Sequence, residues 1–393
     1  MQPSVLRISE LRARPGIKWH RYADDVLPAW VAEMDFGVAE PIQEVLQQLL
    51  TEASYGYEPE TLYPRLSEAF VAYMHRRYRW VTDSQNVLPV GDLVQALFAA
   101  VSACTARGDG VALLTPIYPP FLWAVRETGR HVVEHRLVDD GSRFVVDADT
   151  LHGAGEREAP LLLLCNPHNP TGRVFERAEL ESIAGYVIDR QMSVVADEVH
   201  ADLAYPGNTH IPFASLGPEI AERTITITSA TKAYNIPGLR CGIMHFGSAG
   251  LRQRFGAMIP DHLLGRVNRF GIEATIAAWR DCQWWLDSVI QMLDNNRQRL
   301  QRFLAADLPE IRHYPPEATY LAWLDCRGLQ LPGSPYEFFL DHARVALSDG
   351  AEFGPPGQGC VRLNFGTSAS ILDSLLERMA LAVRVARQPT AER

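Results

Sequence analysis

The segment Ser229-Ala-Thr-Lys-Ala-Tyr-Asn-Ile-Pro-Gly-Leu-Arg240 places a single lysine just past an apolar, β-branched run. An amine at the end of a buried strand is expensive to desolvate unless it has a task. Small hydroxyl residues flank it at Ser229 and Thr231, and Arg240 follows eight residues on. That set suits a Schiff-base lysine with hydroxyl and guanidinium groups around a phosphate. A surface turn with a solvated lysine would account for this segment by itself. In Val194-Val-Ala-Asp-Glu-Val-His200, Asp197 closes an apolar run. A carboxylate there can pair with a pyridinium nitrogen beyond the strand ends and keep the ring an electron sink. A helix N-cap would explain Asp197 alone equally well. In Leu161-Leu-Leu-Leu-Cys-Asn-Pro-His-Asn-Pro-Thr-Gly172, a buried strand runs into a rigid loop, and Asn169 can donate its amide to a cofactor oxygen. A turn without function is the plain alternative.

These residues need elements to position them. Short apolar or β-branched runs at 111–114, 161–165, 193–196 and 224–228 are bounded by turn residues and read as buried strands. Helical patterns such as 176–189 lie between them, which predicts a mostly parallel sheet covered on both faces. A long helix is expected over 271–305, with Leu286, Ile290, Leu293, Arg297, Leu300 and Leu304 at spacings of three and four. Beyond it, strands at 319–325, 345–348 and 361–365 and helices at 336–343 and 371–386 predict an α+β unit. The N-terminal stretch, with Trp19, Trp30 and Phe36, is too aromatic for a free tail and is expected at the domain interface. Residues after Arg384 are polar and expected to fray.

Composition narrows the class. The chain has 393 residues, 47% hydrophobic and 21% charged, which fits a globular protein of two domains. A net charge of -10 argues against nonspecific nucleic-acid binding. No apolar stretch reaches membrane-spanning length, and no signal peptide is evident at Met-Gln-Pro-Ser. Six scattered cysteines form no CxxC pair, so no metal site is expected; a reducing cytoplasm is.

Together the three segments closely resemble the fold-type-I pyridoxal-phosphate (PLP) enzymes, the superfamily of aspartate aminotransferase, over nearly the whole chain. The resemblance implies an α/β fold. Its large domain, over 46–285, has a mostly parallel central sheet, and a smaller α+β C-terminal domain spans 286–393. Residues 1–45 would pack at the domain interface and the small domain. It further implies pyridoxal 5'-phosphate as cofactor, covalently held by Lys232. Asp197 would lie at the ring nitrogen, Asn169 at the ring oxygen, and Ser229, Thr231 and Arg240 at or near the phosphate. Arg362, in Val361-Arg-Leu-Asn-Phe-Gly366, would take the substrate α-carboxylate as a bidentate pair; a lone strand arginine is otherwise a surface ion-pair partner.

Trp30-Val-Ala-Glu-Met-Asp-Phe36, Tyr55-Gly-Tyr57, Thr115-Pro-Ile-Tyr-Pro-Pro-Phe121 and Thr319-Tyr-Leu-Ala-Trp-Leu-Asp325 are similar to the cystathionine β-lyase (C–S lyase) branch. In that branch Tyr118 would stack on the pyridine face. His200 would replace the tyrosine of aspartate aminotransferases beside the cofactor. Tyr57 would reach the partner subunit's phosphate, which implies a homodimer. The phosphate turn departs from the family's Gly-Val-Val pattern: here it reads Val90-Gly-Asp-Leu-Val-Gln-Ala96. The amides of Leu93 and Val94 would bind phosphate at the helix start, with Asp92 as N-cap pointing elsewhere. The expected activity is α,β-elimination on an L-cysteine thioether such as L-cystathionine. An aminotransferase shares the same cofactor contacts and stays open, as does a non-catalytic PLP-binding regulator.

Overall fold

A computed structural model describes residues 3–148, 151 and 159–388; the polar tail over 389–393 lies outside them. A seven-stranded sheet forms the centre. Its spatial order is Val87–Val90, Gly242–Phe246, Thr224–Thr228, Ser193–Asp197, Leu161–Cys165, Gly110–Thr115 and His131–Arg136. Gly242–Phe246 runs antiparallel to both its neighbours, and the other pairs are parallel. Side chains alternate between faces, as strand geometry requires. Leu161, Leu163 and Cys165 join Val195, Ile225 and Ile227 on one face; Leu162 and Leu164 join Val194 and Ala196 on the other. Helices Leu93–Cys104 and Pro119–Glu127 cover the first face, and Arg177–Asp189 covers the second. Burial on both faces is why Leu161–Cys165 reads as an unbroken apolar run.

A second, four-stranded antiparallel sheet is ordered Arg312–His313, Leu321–Asp325, Cys360–Asn364, Ser348–Asp349, with helix Ala369–Ala386 on it. The N-terminal segment joins this part: Leu27–Pro28 pairs in parallel with Val345–Ala346. Among the described residues, no helix is long and apolar enough to cross a membrane.

Three expectations need correction. The long helix is two, Arg269–Asp281 and Gln283–Asp307, with the chain turning at Cys282. Trp279 and Trp285 are both buried, yet positions six apart sit about 120° apart around one straight helix. The turn lets each find the core. The strand expected at 345–348 changes partners midway: Val345–Ala346 pairs with the N-terminal segment, and Ser348–Asp349 with Cys360–Asn364. The helix expected at 336–343 is a short α-turn, Pro335–Phe338, widening into a π-turn, Phe339–Ala343.

One ion pair fastens the N-terminal segment. Lys18 Nζ lies 2.8 Å from Asp35 Oδ2, and both side chains are almost fully buried. Trp19 Nε1 donates to Asp35 Oδ1 (2.8 Å), and Lys18 Nζ also donates to the Glu33 carbonyl (2.9 Å). Removing one partner of such a pair strands the other charge. Asp35→Ala should therefore cost about 3–5 kcal/mol of stability, read as a lower urea midpoint. Replacing both partners together, Lys18→Met with Asp35→Leu, should recover most of it. A wild-type midpoint for Asp35→Ala would show that the pair does not anchor this segment.

Candidate active site

The carboxyl ends of the parallel strands deliver the chemical groups to one crevice, as open α/β sheets do. Asp197 is the last residue of its strand, and Ser229 and Lys232 follow Thr228. Tyr118 follows Thr115 and caps helix Pro119–Glu127. These residues line a cavity of about 190 Å³, together with Asp92, Leu93, Val94 and Arg240. Asn169 sits in the loop after Leu161–Cys165. Gly172 closes that loop at φ +72, where an added Cβ would lie 2.2 Å from Pro316 Cβ. Its carbonyl accepts from the amides of Glu317 and Ala318, so the loop is clamped against the second sheet's unit.

Lys232 is half-buried, and its Nζ donates to the Ala32 carbonyl at 3.0 Å. Burial, with the nearby Arg362 cation, lowers its pKa from 10.5 to about 8. Asp197 moves the other way: burial raises it to about 7, opposed by the Val199 amide, which donates to Oδ1 at 3.1 Å. A carboxylate so desolvated is a receptive partner for a cation brought against it. His200 is buried with Nδ1 lacking a hydrogen-bond partner, and burial lowers its pKa to about 3, so it is neutral. It stands edge-on to Tyr320, with ring centroids 6.2 Å apart. Burial likewise raises the Tyr118 hydroxyl above its ordinary value.

Arg362 is held from three sides. Nη1 donates to Asn169 Oδ1 (2.9 Å), and Nη2 to the Trp30 carbonyl (3.0 Å) and Ser348 Oγ (3.1 Å). Phe353 lies 5.0 Å beneath the guanidinium. Nε is buried and has no hydrogen-bond partner, a donor awaiting an acceptor. Burial lowers the pKa of Arg362 to about 10, so it remains a cation at neutral pH.

At the other end, Ser229 Oγ donates to the Cys241 carbonyl (2.6 Å) and accepts from the Thr231 amide (3.0 Å). Asp92 is the N-cap, accepting from Val94 and Gln95, but its Oδ2 also accepts from Arg240 Nη1 at 2.9 Å. The expectation that Asp92 points away from this end is thus wrong, because the Arg240 cation attracts the carboxylate. The Val94 amide, expected at the phosphate, donates to Asp92 Oδ1 at 2.8 Å. Tyr57 lies outside this cavity, on the surface, 99% exposed.

Comparison with known proteins places these features. The Aminotransferase class I and II family model matches residues 24–379. Cystathionine beta-lyase PatB of Bacillus subtilis is 32% identical, covering 94% of this chain and 96% of its own length. A putative cystathionine beta-lyase of Mycobacterium leprae is 36% identical, covering 96% and 97%. The crystal structure of cystalysin from Treponema denticola, which contains a pyridoxal 5'-phosphate cofactor, superposes with a TM-score of 0.91 at 29% identity, covering 98% of each chain. The chain belongs to the class I and II aminotransferase family, in its C–S lyase branch.

Pyridoxal 5'-phosphate is the cofactor of this family branch, and the residues fit it. A desolvated amine with a lowered pKa, a buried carboxylate with a raised one, and a hydroxyl–guanidinium cluster occupy one cavity. Several supporting groups escaped the sequence reading. Ser348 steadies Arg362, and the carbonyls of Trp30 and Ala32 steady Arg362 and Lys232. Glu198, next to Asp197 in the chain, accepts from the Phe213 amide (2.8 Å) and pairs with His210 (3.1 Å). One signal was available for Lys18: the sequence holds only two lysines, Lys18 and Lys232, and Lys18 is fully buried while Lys232 is half-buried.

That scarcity makes a clean test. In cofactor-free protein, labelling of Lys232 by an amine-selective acylating reagent should rise with a midpoint near pH 8, because only the neutral amine reacts. An ordinary lysine would titrate near 10.5. A midpoint above pH 10 would mean the amine is not desolvated.

Proposed function

We propose that the protein is a C–S β-lyase that carries out α,β-elimination on an L-cysteine thioether such as L-cystathionine, giving a thiol, pyruvate and ammonia. The observation that carries this reading is Lys232, a desolvated amine with its pKa lowered to about 8 and able to give and take a proton. The relatives named as cystathionine β-lyases support elimination over amino transfer.

When bound, the cofactor supplies an electron sink next to the substrate Cα. Arg362, already fixed by Asn169, Trp30 and Ser348, receives the α-carboxylate, with Nε the donor still free. Asp197 would face the ring nitrogen and, as a carboxylate, would hold a proton there. Asn169 would reach the ring oxygen, Tyr118 the ring face, and neutral His200 would pack beside the ring. Lys232 Nζ takes the Cα proton, and a β-thiolate is a good leaving group where an alkyl side chain is not. The buried walls exclude water, which strengthens each of these interactions.

Cystathionine or a simple S-alkyl cysteine should yield pyruvate, ammonia and thiol in equal amounts with no 2-oxo acid present. Dependence on a 2-oxo acid without thiol release would make the protein an aminotransferase, and PLP binding without turnover would make it a regulator. Arg362→Ala should lower kcat/KM by about 2–4 kcal/mol, mainly through KM, for a lost charge-assisted pair.

We also infer a homodimer with shared sites, working in the cytoplasm. The six cysteines are all free thiols, which suits a reducing compartment. Tyr57 supports the dimer: its side chain is fully exposed in the single chain, on a loop held by Arg269 Nη2 to the Tyr57 carbonyl (3.1 Å) and by Tyr55 stacked on Phe270. Mixing inactive Tyr57→Ala with inactive Lys232→Ala should restore activity, since one hybrid site regains both residues. A fully active monomer in light scattering would contradict this.

A further inference from the structure

A helix start offers unpaired amides to an anion, and in this chain a side chain has taken them first. Asp92 Oδ1 accepts from the Val94 amide at 2.8 Å and the Gln95 amide at 3.1 Å, while Oδ2 accepts from Arg240 Nη1 at 2.9 Å. Asp92, Val94 and Arg240 line the same end of the cavity as Ser229 and Thr231. Two donors assigned to the cofactor's phosphate therefore already carry a carboxylate. The carboxylate is well placed to leave. Its side chain keeps 37% of its exposure, and an added Cβ on the adjacent Gly91 would meet nothing within 4 Å, so the turn has room to shift.

We propose that Asp92 is a built-in competitor for the cofactor phosphate. Its carboxylate holds the Val94 amide and the Arg240 guanidinium in the cofactor-free protein, and the phosphate must displace it to bind. Each N–H makes one strong bond at a time, and two anions on the same donors repel at short range. The cap stabilises the empty protein and lowers its affinity for the phosphorylated cofactor alone. The inference rests on assigning this end of the cavity to phosphate, and the test separates that assignment from the competition.

Cofactor-free full-length protein, wild type and Asp92→Asn, is titrated with pyridoxal 5'-phosphate and with pyridoxal, which lacks the phosphate, following absorbance. Asparagine caps a helix as well as aspartate but carries no charge. Asp92→Asn should bind pyridoxal 5'-phosphate about tenfold or more tightly than wild type, with pyridoxal affinity unchanged within about twofold. Inorganic phosphate should raise the unfolding temperature of the variant more than that of wild type. Equal affinities for pyridoxal 5'-phosphate in the two proteins, a gain shared by pyridoxal, or weaker binding by the variant would each overturn the proposal. If neither protein prefers the phosphorylated form, the phosphate assignment itself is wrong and the proposal falls with it, whatever the lyase assay shows. Should Asp92→Asn fold poorly, Asp92→Ser keeps a capping oxygen and serves the same comparison.

Discussion

The site depends on how the backbone of residues 30–36 is satisfied. The Trp30 carbonyl accepts from Arg362 and Ser348, and the Ala32 carbonyl from Lys232 and Tyr320. Asn364 Nδ2 bridges the carbonyls of Val31 and Glu33, and Asn235 binds Met34 and Phe36. Buried peptide groups must find partners. Here the partners come from both sheets' units: Lys232 and Asn235 from the loop after Thr224–Thr228, and Arg362, Asn364, Ser348 and Tyr320 from the second sheet and its flanks. One extended strip of chain thus fixes the distance between the amine that handles the proton and the cation that receives the carboxylate. The buried Lys18–Asp35 pair fastens that strip in turn.

Within this frame, burial sets the electrostatics. The same desolvation lowers Lys232 and His200 and raises Asp197. The result is a neutral imidazole, an amine poised near its working pH, and a carboxylate that gains by meeting a cation. Arg362 stays charged because its ordinary value is so high, and cation–π contact with Phe353 compensates part of its burial. Burial thus draws the amine and the carboxylate toward neutral pH from opposite sides, which leaves each responsive to a charge brought against it.

Much of this was legible in the sequence. The strands at 161–165 and 224–228 have the bounds read from their apolar or β-branched runs, because each is buried along its whole length and bounded by turn residues. Asp197, Ser229 and Lys232, which end or follow two neighbouring parallel strands, line one cavity, since parallel strands all point their carboxyl ends the same way. What escaped has physical reasons. The break at Cys282 leaves the helical period intact on either side, so only the packing of Trp279 and Trp285 reveals it. The partner switch after Ala346 is a long-range choice that local pattern cannot encode. Contacts to the carbonyls of Trp30 and Ala32 involve no side chain of those residues, so no residue type signals them. Asp92 was visible as a cap, but its pairing with Arg240, 148 positions away, was not.

The central claim is that the Lys232 amine moves the Cα proton during thiol release. It is tested most directly with Lys232→Ala reconstituted with the cofactor. Thiol release from an S-alkyl cysteine should nearly vanish, and small primary amines added to the solution should restore it in proportion to their basicity. Thiol release at the wild-type rate in that variant, without added amine, would contradict the account.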